Sequence, residues 1–344
     1  MGNSVKICAV VKANAYGFGL SMISKYIQDM VDYFAVARVG ELEILRKNKI
    51  TKPVLVLSPV ISEAEIVKAL RLSGEVSVDG LKSLEKINSF AAKLRKIADV
   101  HIKVDTGMNR FGTKSIHEFN EMLSLSKNLS NINIKGLYSH FACSGDPIVS
   151  NAQKTRFDEF VNIAKDCGIM TICHIASSKK SMDRTCTYDM VRLGIELYEI
   201  NDSISFSGKV LAVKTLKSGE FLGYDYSYMA CNNMRVACVS IGYGDIAIRK
   251  LSNTGKVLIN GQYANIVGNV CMDCMFADIT NIEAKVGDDC VLFGRQGKNS
   301  IYVCEVAEKC GTISYEILTS ISGRVKREYN LCKLSQGNTG QENS

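Results

Sequence analysis

Short apolar segments recur at regular intervals along the first part of the chain. Eight of them have the near-continuous apolar character of parallel strands that are buried on both faces. They are ICAVV (7–11), YFAVA (33–37), PVLVLS (53–58), EVSVD (75–79), VHIKVD (100–105), IKGLYSH (134–140), TICHIA (171–176) and MVRLGI (190–195). Amphipathic stretches separate most of them: Ser62-Glu-Ala-Glu65 is a capping box that begins one helix, and residues 81–96 have helical spacing.

This alternation is typical of the α/β class and predicts a (β/α)8 TIM-type barrel over residues 1–205. A doubly wound open sheet would show the same alternation and is the alternative. After residue 205 the chain changes to short strand-like segments with Gly and Asn turns, and Asn260-Gly261 indicates a hairpin. We therefore expect a mostly β domain over residues 206–333 and a disordered polar tail over residues 334–344.

The composition excludes several classes of protein. The net charge is +7 without a dense run of Lys and Arg, which argues against a nucleic-acid partner. Four histidines, none in an HExxH pattern, argue against a zinc hydrolase, so we expect no metal. No apolar run approaches the roughly 20 residues of a membrane helix, and no signal peptide is apparent. Thirteen scattered cysteines, mostly within apolar segments, suggest small buried side chains in a reducing cytoplasm.

Polar side chains follow the ends of five predicted strands. They are Lys12, Lys103 with Asp105, His140, the Ser177-Ser178 pair and Arg192. A single lysine after a strand is usually a solvated loop residue. In a barrel, however, chemistry lies at the carboxyl ends of the strands. Five such positions together therefore predict one convergent site.

Four blocks of the sequence resemble those of the alanine racemases. VVKANAYG (10–17) is similar to the lysine motif that binds pyridoxal 5'-phosphate (PLP) in that family. The segment from Lys103 to Arg110, Cys271-Met-Asp273, and TISYEIL (312–318) followed by Arg324 agree in order and spacing. The resemblance covers nearly the whole chain. It implies a PLP-dependent homodimer with shared active sites that interconverts L-alanine and D-alanine, supplying D-alanine for peptidoglycan.

By the same resemblance, Lys12 would hold PLP covalently and Arg192 would contact the pyridine nitrogen. Because a guanidinium keeps its proton, that nitrogen would stay unprotonated. We expect this to suppress side reactions such as transamination while still allowing Cα deprotonation. The remaining cofactor-binding residues implied by the family are Tyr16, His140, Ser178, Gly194, Ile195 and Tyr315, of which all but His140 would bind the phosphate.

Racemisation needs two bases, one on each face of the substrate Cα. Lys12 would serve one face, and Tyr224 of the partner subunit matches the family's second base. The residues alone do not separate Tyr224 from Tyr226 or Tyr228, but the register of the resemblance favours Tyr224. A phenol titrates near 10 in water, so its pKa must be shifted, and the family positions that would do this are those of His140 and Arg110.

Further positions match supporting roles in the family. Arg110 would also bind the substrate carboxylate, for which its fork of donors is suited. Lys103 occupies a position where many members carry a carbamylated lysine that holds this arginine. The others are Met272 and Asp273, which would reach the substrate from the partner subunit, and Tyr243 and Arg249, which resemble residues at the entrance.

The sequence departs from the family pattern at its beginning. Only residues 1–6 precede the lysine strand, whereas the family usually begins with a further strand and helix. We therefore expect exposed apolar surface beside residues 7–11.

Other functions compete with an alanine racemase. A serine or broad-specificity racemase of the same fold is the nearest alternative. Arg192 and Tyr224 argue against a barrel-type PLP decarboxylase, and the β domain argues against a non-catalytic PLP-binding protein. A redox or metal module at Cys271-Met-Asp-Cys274 would rest on a single CxxC motif, which is weak evidence.

Overall fold

Eight parallel strands form the first part of the fold. The computed structural model describes residues 5–177, 183, 185–198 and 204–330. The strands are β1 (Lys6–Val10), β2 (Tyr33–Val36), β3 (Val54–Val56), β4 (Glu75–Val78), β5 (Ala98–Lys103), β6 (Ile132–Tyr138), β7 (Ile172–His174) and β8 (Met190–Leu193). Each overlaps one of the eight apolar segments, so these strands are confirmed.

The strands curl into a nearly closed barrel. Neighbours pair in the order β7-β6-β5-β4-β3-β2-β1-β8, and β1 pairs with β8 so that Cys8 lies opposite Arg192. At the remaining seam, the amide of Asp189 donates to the carbonyl of Cys173 at 3.0 Å, and the amide of Arg192 donates to that of Ala176 at 3.1 Å. These bonds join the two end strands. The predicted (β/α)8 barrel is therefore confirmed, and the open sheet is excluded.

Helices alternate with the strands around the barrel. They are α1 (Lys12–Tyr16), α2 (Leu20–Ile27), α3 (Val39–Lys47), α4 (Glu63–Arg71), α5 (Leu81–Lys93), α6 (Ile116–Ser126) and α7 (Pro147–Asp166). Only half of the predicted capping box is present: Ser62 Oγ accepts a hydrogen bond from the amide of Glu65 at 3.3 Å, directly before α4. The Glu65 carboxylate accepts from Ser62 Oγ at 3.0 Å and not from the Ser62 amide. Within the described ranges, no helix is both long and apolar enough to cross a membrane.

Strand side chains alternate between the barrel interior and the helical layer. In β1, Cys8 and Val10 pack inside the barrel. Ala9 and the following Val11 pack outward with the helices. All four are buried, and Val5, just before the strand, is exposed. The strand is therefore buried on both faces, and the expected exposed apolar surface beside residues 7–11 stays a prediction.

Residues 204–330 form a mostly antiparallel β domain. Its elements are β9 (Phe206–Leu216), β10 (Phe221–Leu222), β11 (Tyr228–Met229), β12 (Met234–Val239), β13 (Lys256–Ile259), β14 (Gln262–Asn265), β15 (Met275–Asp278), β16 (Asp289–Gln296), β17 (Asn299–Ile301), α8 (Val303–Cys310) and α9 (Ser314–Thr319). The main sheet has the order β14-β13-β16-β9-β12-β15. Asn260 and Gly261, with φ of 49° and 74°, form the predicted two-residue hairpin between β13 and β14.

The cysteines are only partly buried. The twelve in the described residues are all free thiols. Cys8, Cys173, Cys186, Cys290 and Cys310 are buried as expected, but the expectation of burial is wrong for Cys143, Cys231 and Cys304, which are exposed. The predicted disordered tail lies outside the described residues.

Candidate active site

A cavity of about 750 Å³ opens at the carboxyl ends of the barrel strands. These ends, with the loops that follow them, meet at one face of a (β/α)8 barrel. The structure thereby brings together residues that lie far apart in the sequence. The predicted site residues that line the cavity are Lys12, Tyr16, Lys103, Arg110, His140, Arg192, Gly194, Ile195 and Tyr315.

Lys12 begins a left-handed helical turn. The next four residues, Ala13 to Tyr16, have φ values between 52° and 56°. The left-handed conformation costs about 1–2 kcal/mol for each residue other than glycine. Such a turn persists only where surrounding contacts hold it. It places the side chains of Lys12 and Tyr16 in the same cavity.

Contacts from both ends of the chain hold this turn. Glu41 on α3 accepts a hydrogen bond from the amide of Ala13 at 2.6 Å. Arg327 donates to the carbonyl of Gly17 at 2.7 Å. Gly17 itself has φ of +91°, and a Cβ atom there would lie 2.0 Å from the carbonyl oxygen of Leu318 on α9. Only glycine permits this close approach of the β domain to the turn.

The Lys12 amine lies half-buried near other cations. Burial lowers its pKa, Arg110 and Arg192 lower it further, and Glu41 opposes them. A lysine with a lowered pKa is more readily neutral, and a neutral amine can act as a nucleophile or accept a proton.

Two tyrosines lie together at the cavity. The rings of Tyr16 and Tyr315 meet edge to face with centroids 6.3 Å apart. Burial, with Tyr315 adding to it, raises the pKa of Tyr16 to about 12, so its hydroxyl remains a donor. The backbone of Gly194 and Ile195 lines the same cavity. Hydroxyl and backbone N–H donors suit a phosphate. Ser178, expected in this group, lies outside the described residues.

Arg192 is a fixed cation in the wall of the cavity. It is buried, and it donates to the carbonyl oxygens of His174 at 3.0 Å, Ser139 at 2.7 Å and Ile175 at 3.2 Å. Burial lowers its pKa only to about 10, so it stays charged at neutral pH.

His140 is uncharged at neutral pH. Burial, followed by Arg192 and Arg110, lowers its pKa to about 3. Arg192 lies 3.4 Å from its Nδ1 and can only donate. Nδ1 therefore accepts, and the ring hydrogen is on Nε2. His140 can thus supply a hydrogen bond but not a positive charge.

Tyr138 also lines the cavity, and the sequence analysis missed it. Its ring centroid lies 5.3 Å from Lys103 Nζ and 5.4 Å from the Arg192 guanidinium. The ring also stacks on His174 with centroids 5.0 Å apart. Tyr138 is the last residue of β6, and that position at a strand end was the signal that could have identified it.

Arg110 lies on the loop after β5. Asp105 Oδ1 accepts from the amides of Gly107 at 2.9 Å and Asn109 at 3.1 Å, which orders the first part of this loop. Arg110 is exposed, with its guanidinium 4.9 Å from the ring centroid of Phe111. It therefore presents an accessible cation to the cavity.

Lys103 is a buried lysine with a strongly shifted pKa. Its Nζ donates to the carbonyl of Val104 at 2.8 Å. Burial, with Arg192 as the next cause, lowers its pKa to about 7, although Asp105 opposes this. The neutral and charged forms therefore coexist near neutral pH.

We expect Lys103→Met to change how stability depends on pH. The lysine binds a proton below about pH 10.4 when unfolded, but only below about 7 when folded. Between these two pH values the unfolded chain binds more protons than the folded chain. The titration of Lys103 therefore makes the wild type more stable as pH rises. From about pH 6 to about pH 9 the wild type should gain about 3 kcal/mol relative to the variant. Denaturant unfolding in bicarbonate-free buffer measures this. Lys47→Met, at an exposed position, is the control, and a wild-type profile parallel to that of Lys103→Met would contradict the shift.

Five other predicted residues lie on the β domain and are not among the residues that line the cavity. They are Tyr224, Tyr243, Arg249, Met272 and Asp273. Tyr224 is 68% exposed and Met272 is 53% exposed. Asn269 holds the Tyr224 turn by donating to the Tyr224 carbonyl at 3.1 Å.

Arg324 orders part of this exposed surface. It donates to Asp273 and to Asp245, in each case at 2.7 Å. The amide of Gly244, next to Tyr243, donates to the carbonyl of Met272 at 2.8 Å. The loops that carry Tyr243, Met272 and Asp273 are therefore joined and held in place within a single chain.

The residues around the cavity suit PLP. They supply an amine, a guanidinium and a set of phosphate donors, as described above. The cavity volume lies within the range of about 300–1,000 Å³ that is common for small-molecule sites. The chemistry of the donors therefore fits the cofactor that the sequence resemblance implies.

Two family models match consecutive parts of the chain. The first, described as alanine racemase, N-terminal domain, matches residues 1–202. The second, described as alanine racemase, C-terminal domain, matches residues 203–329.

Individual relatives agree with these matches. Alanine racemase 2 of Caldanaerobacter subterraneus subsp. tengcongensis is 34% identical over 96% of this chain and 89% of the relative. The alanine racemase of Methanococcus maripaludis is 36% identical over 94% of this chain and 91% of the relative. Among solved structures, that of Clostridium difficile 630 alanine racemase has a TM-score of 0.87 at 31% identity, covering 94% of this chain and 89% of the other. The structure of Bacillus anthracis alanine racemase with bound L-Ala-P has a TM-score of 0.87 at 30% identity, covering 94% of this chain and 88% of the other.

Proposed function

This chain belongs to the alanine racemases, which are isomerases, and from that premise we propose that it uses PLP to interconvert L-alanine and D-alanine. The observation that carries the proposal is the convergence of Lys12, Arg192 and the Tyr16–Tyr315 pair on one cavity. An amine, a fixed cation and phosphate donors around one cavity are the groups that this cofactor requires.

Lys12 would hold the cofactor through its amine, and Arg192 would lie against the pyridine nitrogen. When bound, PLP withdraws electrons from the Cα atom of an amino acid and so acidifies its Cα proton. Because Arg192 keeps its proton, the ring nitrogen would stay unprotonated, and this would favour proton removal and return over side reactions such as transamination. The phosphate would be bound by Tyr16, Ser178, Gly194, Ile195 and Tyr315.

Lys12 would also move the proton on one face of the substrate. In that role the Lys12 amine would be free and no longer joined to the cofactor. The lowered pKa of Lys12 supports this role, because a neutral amine must be present to accept the Cα proton.

The opposite face needs a second base, and we assign it to Tyr224 of the partner subunit. The exposure of Tyr224 supports this, because a second copy of the chain can reach only a side chain that is presented at the surface. A phenol acts as a base only if its pKa is lowered. The neutral His140 can donate a hydrogen bond to the phenolate, and Arg110 supplies positive charge. We infer from this assignment that the active form is a homodimer.

Arg110 would bind the substrate carboxylate with two parallel hydrogen bonds. Lys103 has a neutral fraction near pH 7, and a neutral amine can add carbon dioxide. The resulting carbamate would be an anionic partner for Arg110. The partner's Met272 and Asp273 would reach the substrate end, and Tyr243 and Arg249 would lie at the entrance.

Serine and broad-specificity racemisation are the alternatives within the same fold. A small side chain that differs by one group is discriminated by only about 1–3 kcal/mol in an apolar pocket, so the assay includes both amino acids. We infer a cytoplasmic enzyme whose D-alanine serves peptidoglycan synthesis.

Spectra and chiral chromatography test the proposal. The purified protein is mixed with PLP, its visible spectrum is recorded, and L-alanine and L-serine are then followed separately. We expect a new absorbance band and D-alanine rising to the level of L-alanine, since enantiomers have equal free energy. Absence of the band would contradict the cofactor, and a band without any D-amino acid would contradict racemisation. Faster formation of D-serine would reassign the substrate.

A further inference from the structure

A chain of buried polar side chains crosses the barrel interior to reach Arg192. Glu75 begins β4, His101 lies in β5, His174 ends β7 and Arg192 lies in β8, and all four are at most 4% exposed. Glu75 Oε2 lies 2.7 Å from His101 Nε2, and His101 Nδ1 lies 3.0 Å from His174 Nε2. His174 Nδ1 in turn contacts the NH1 group of Arg192.

The direction of every hydrogen bond follows from the arginine. A guanidinium only donates, so His174 Nδ1 must accept and the hydrogen of this ring is on Nε2. His174 therefore donates to His101 Nδ1, and His101 donates from its own Nε2 to Glu75. Burial lowers the pKa of His174 well below its ordinary value, which agrees with a neutral ring.

Glu75 accepts the last hydrogen bond of this series, at the end opposite Arg192, and so favours hydrogen on Nε2 of His101. Glu75 Oε2 accepts from His101, and the Tyr33 hydroxyl donates to the other Glu75 oxygen at 3.5 Å. If the acceptor is lost, His101 has a buried N–H without a partner, which is unfavourable. A ring that escapes this by moving its hydrogen to Nδ1 would meet the N–H of His174, and the mismatch would pass on to Arg192.

We propose that Glu75 and His101 are positioning residues that fix the tautomer of His174 and thereby hold the Arg192 guanidinium in the orientation that the cofactor ring requires. This inference rests on the proposed function in one respect, namely that Arg192 faces the ring. Neither Glu75 nor His101 lines the cavity, so their effect would pass through His174.

The first test measures the tautomers and needs no cofactor. The chain has only four histidines, so spectra of isotope-labelled histidine resolve the protonation of individual ring nitrogens. We expect both His101 and His174 to carry hydrogen on Nε2 and none on Nδ1 near neutral pH. A doubly protonated ring, or hydrogen on Nδ1 of either residue, would overturn the inference.

The second test replaces Glu75 in the PLP-loaded enzyme. Glu75→Met removes the acceptor. We expect kcat for alanine to fall about tenfold, the lower end of the range found when a group that orients a metal ligand is removed. The KM should change little, because Arg110 and not Arg192 is assigned to the substrate carboxylate. The signals of His101 and His174 should become heterogeneous, and the visible band of the cofactor should shift.

Two further variants make the result specific. Glu75→Gln keeps an oxygen acceptor without its charge, and charge-assisted hydrogen bonds are about twice as strong as neutral ones. It should therefore retain the tautomers and lose only about threefold in kcat. Asp99→Asn is the control, because Asp99 lies two residues before His101 on β5 but bonds to Asn133 and Lys135 instead. It should match the wild type.

The outcomes separate the two proposals. Wild-type kcat and histidine spectra in Glu75→Met would overturn this inference and leave the racemase intact. If the methionine variant does not fold, hydrogen on Nδ1 of His101 or His174 in the wild type would overturn it. A wild-type protein that neither binds PLP nor converts alanine would overturn the proposed function, and the histidine tautomers would still decide whether the buried chain is directed as described.

Discussion

Lys12→Ala should lower kcat for alanine by about 10⁴-fold, the upper end of the range for loss of an acid–base group. The effect is this large because Lys12 has two proposed roles, holding the cofactor and moving the proton on one face. The methyl side chain of the alanine at position 12 cannot perform either role. The fold should be kept, since Glu41 and Arg327 hold the left-handed turn through backbone atoms and not through the lysine side chain.

Borohydride reduction and peptide mass spectrometry measure the first role, and chiral chromatography measures the second. In the wild type, the reduced cofactor should be found on the peptide that contains Lys12. In Lys12→Ala it should be found on none. Lys47→Ala, which removes an exposed lysine of α3, should behave as the wild type. Cofactor trapped on another lysine of the wild type would refute the assignment.

The barrel could be predicted from the sequence because its strands are buried on both faces. Burial of this kind leaves continuous apolar segments such as ICAVV, and the caps of the intervening helices are local signals. The β domain gives weaker signals. The two-residue strands β10 and β11 are too short to show a period of two, and only the Asn260-Gly261 turn is specified locally.

The convergence of residues at the strand ends was predictable for a topological reason, since parallel strands place all their carboxyl ends on one side. The series of hydrogen-bonded side chains formed by Glu75, His101 and His174 was not predictable. Each member lies inside an apolar segment, where a lone polar residue gives no sign of its partner. The register between β4, β5 and β7 decides which side chains meet, and that register is a property of the whole barrel.

The left-handed turn at Lys12 also could not be derived from local preferences. Alanine and lysine favour right-handed helix, and nothing between Lys12 and Tyr16 requires a positive φ. The turn depends on Glu41 from α3 and on the approach of α9 to Gly17. Its stability is therefore a tertiary property, although the sequence resemblance could still locate the lysine.

Tyr224→Phe should lower kcat/KM for alanine by about 10²–10⁴-fold in both directions, since the missing phenol is the proposed base on the second face. Both directions must fall together because the ratio of the two values equals the equilibrium constant between enantiomers, which is unity. Lys12 remains, so in deuterated water the variant should still exchange the Cα hydrogen of one enantiomer without inverting it. Tyr226→Phe, at an equally exposed neighbour, is the control, and undiminished racemisation in Tyr224→Phe would remove the two-base assignment.

Mixing the two inactive variants tests whether Lys12 and Tyr224 act in one site from different subunits. A dimer of one Lys12→Ala chain and one Tyr224→Phe chain has one site with both changes and one site with neither. If chains exchange at random, half of the dimers are mixed, so activity should return to about a quarter of the wild-type value. If both residues acted within one chain, every site would lack a base and mixing would restore nothing. Recovery therefore requires a shared site, which the exposure of Tyr224 outside its own chain's cavity leads us to expect.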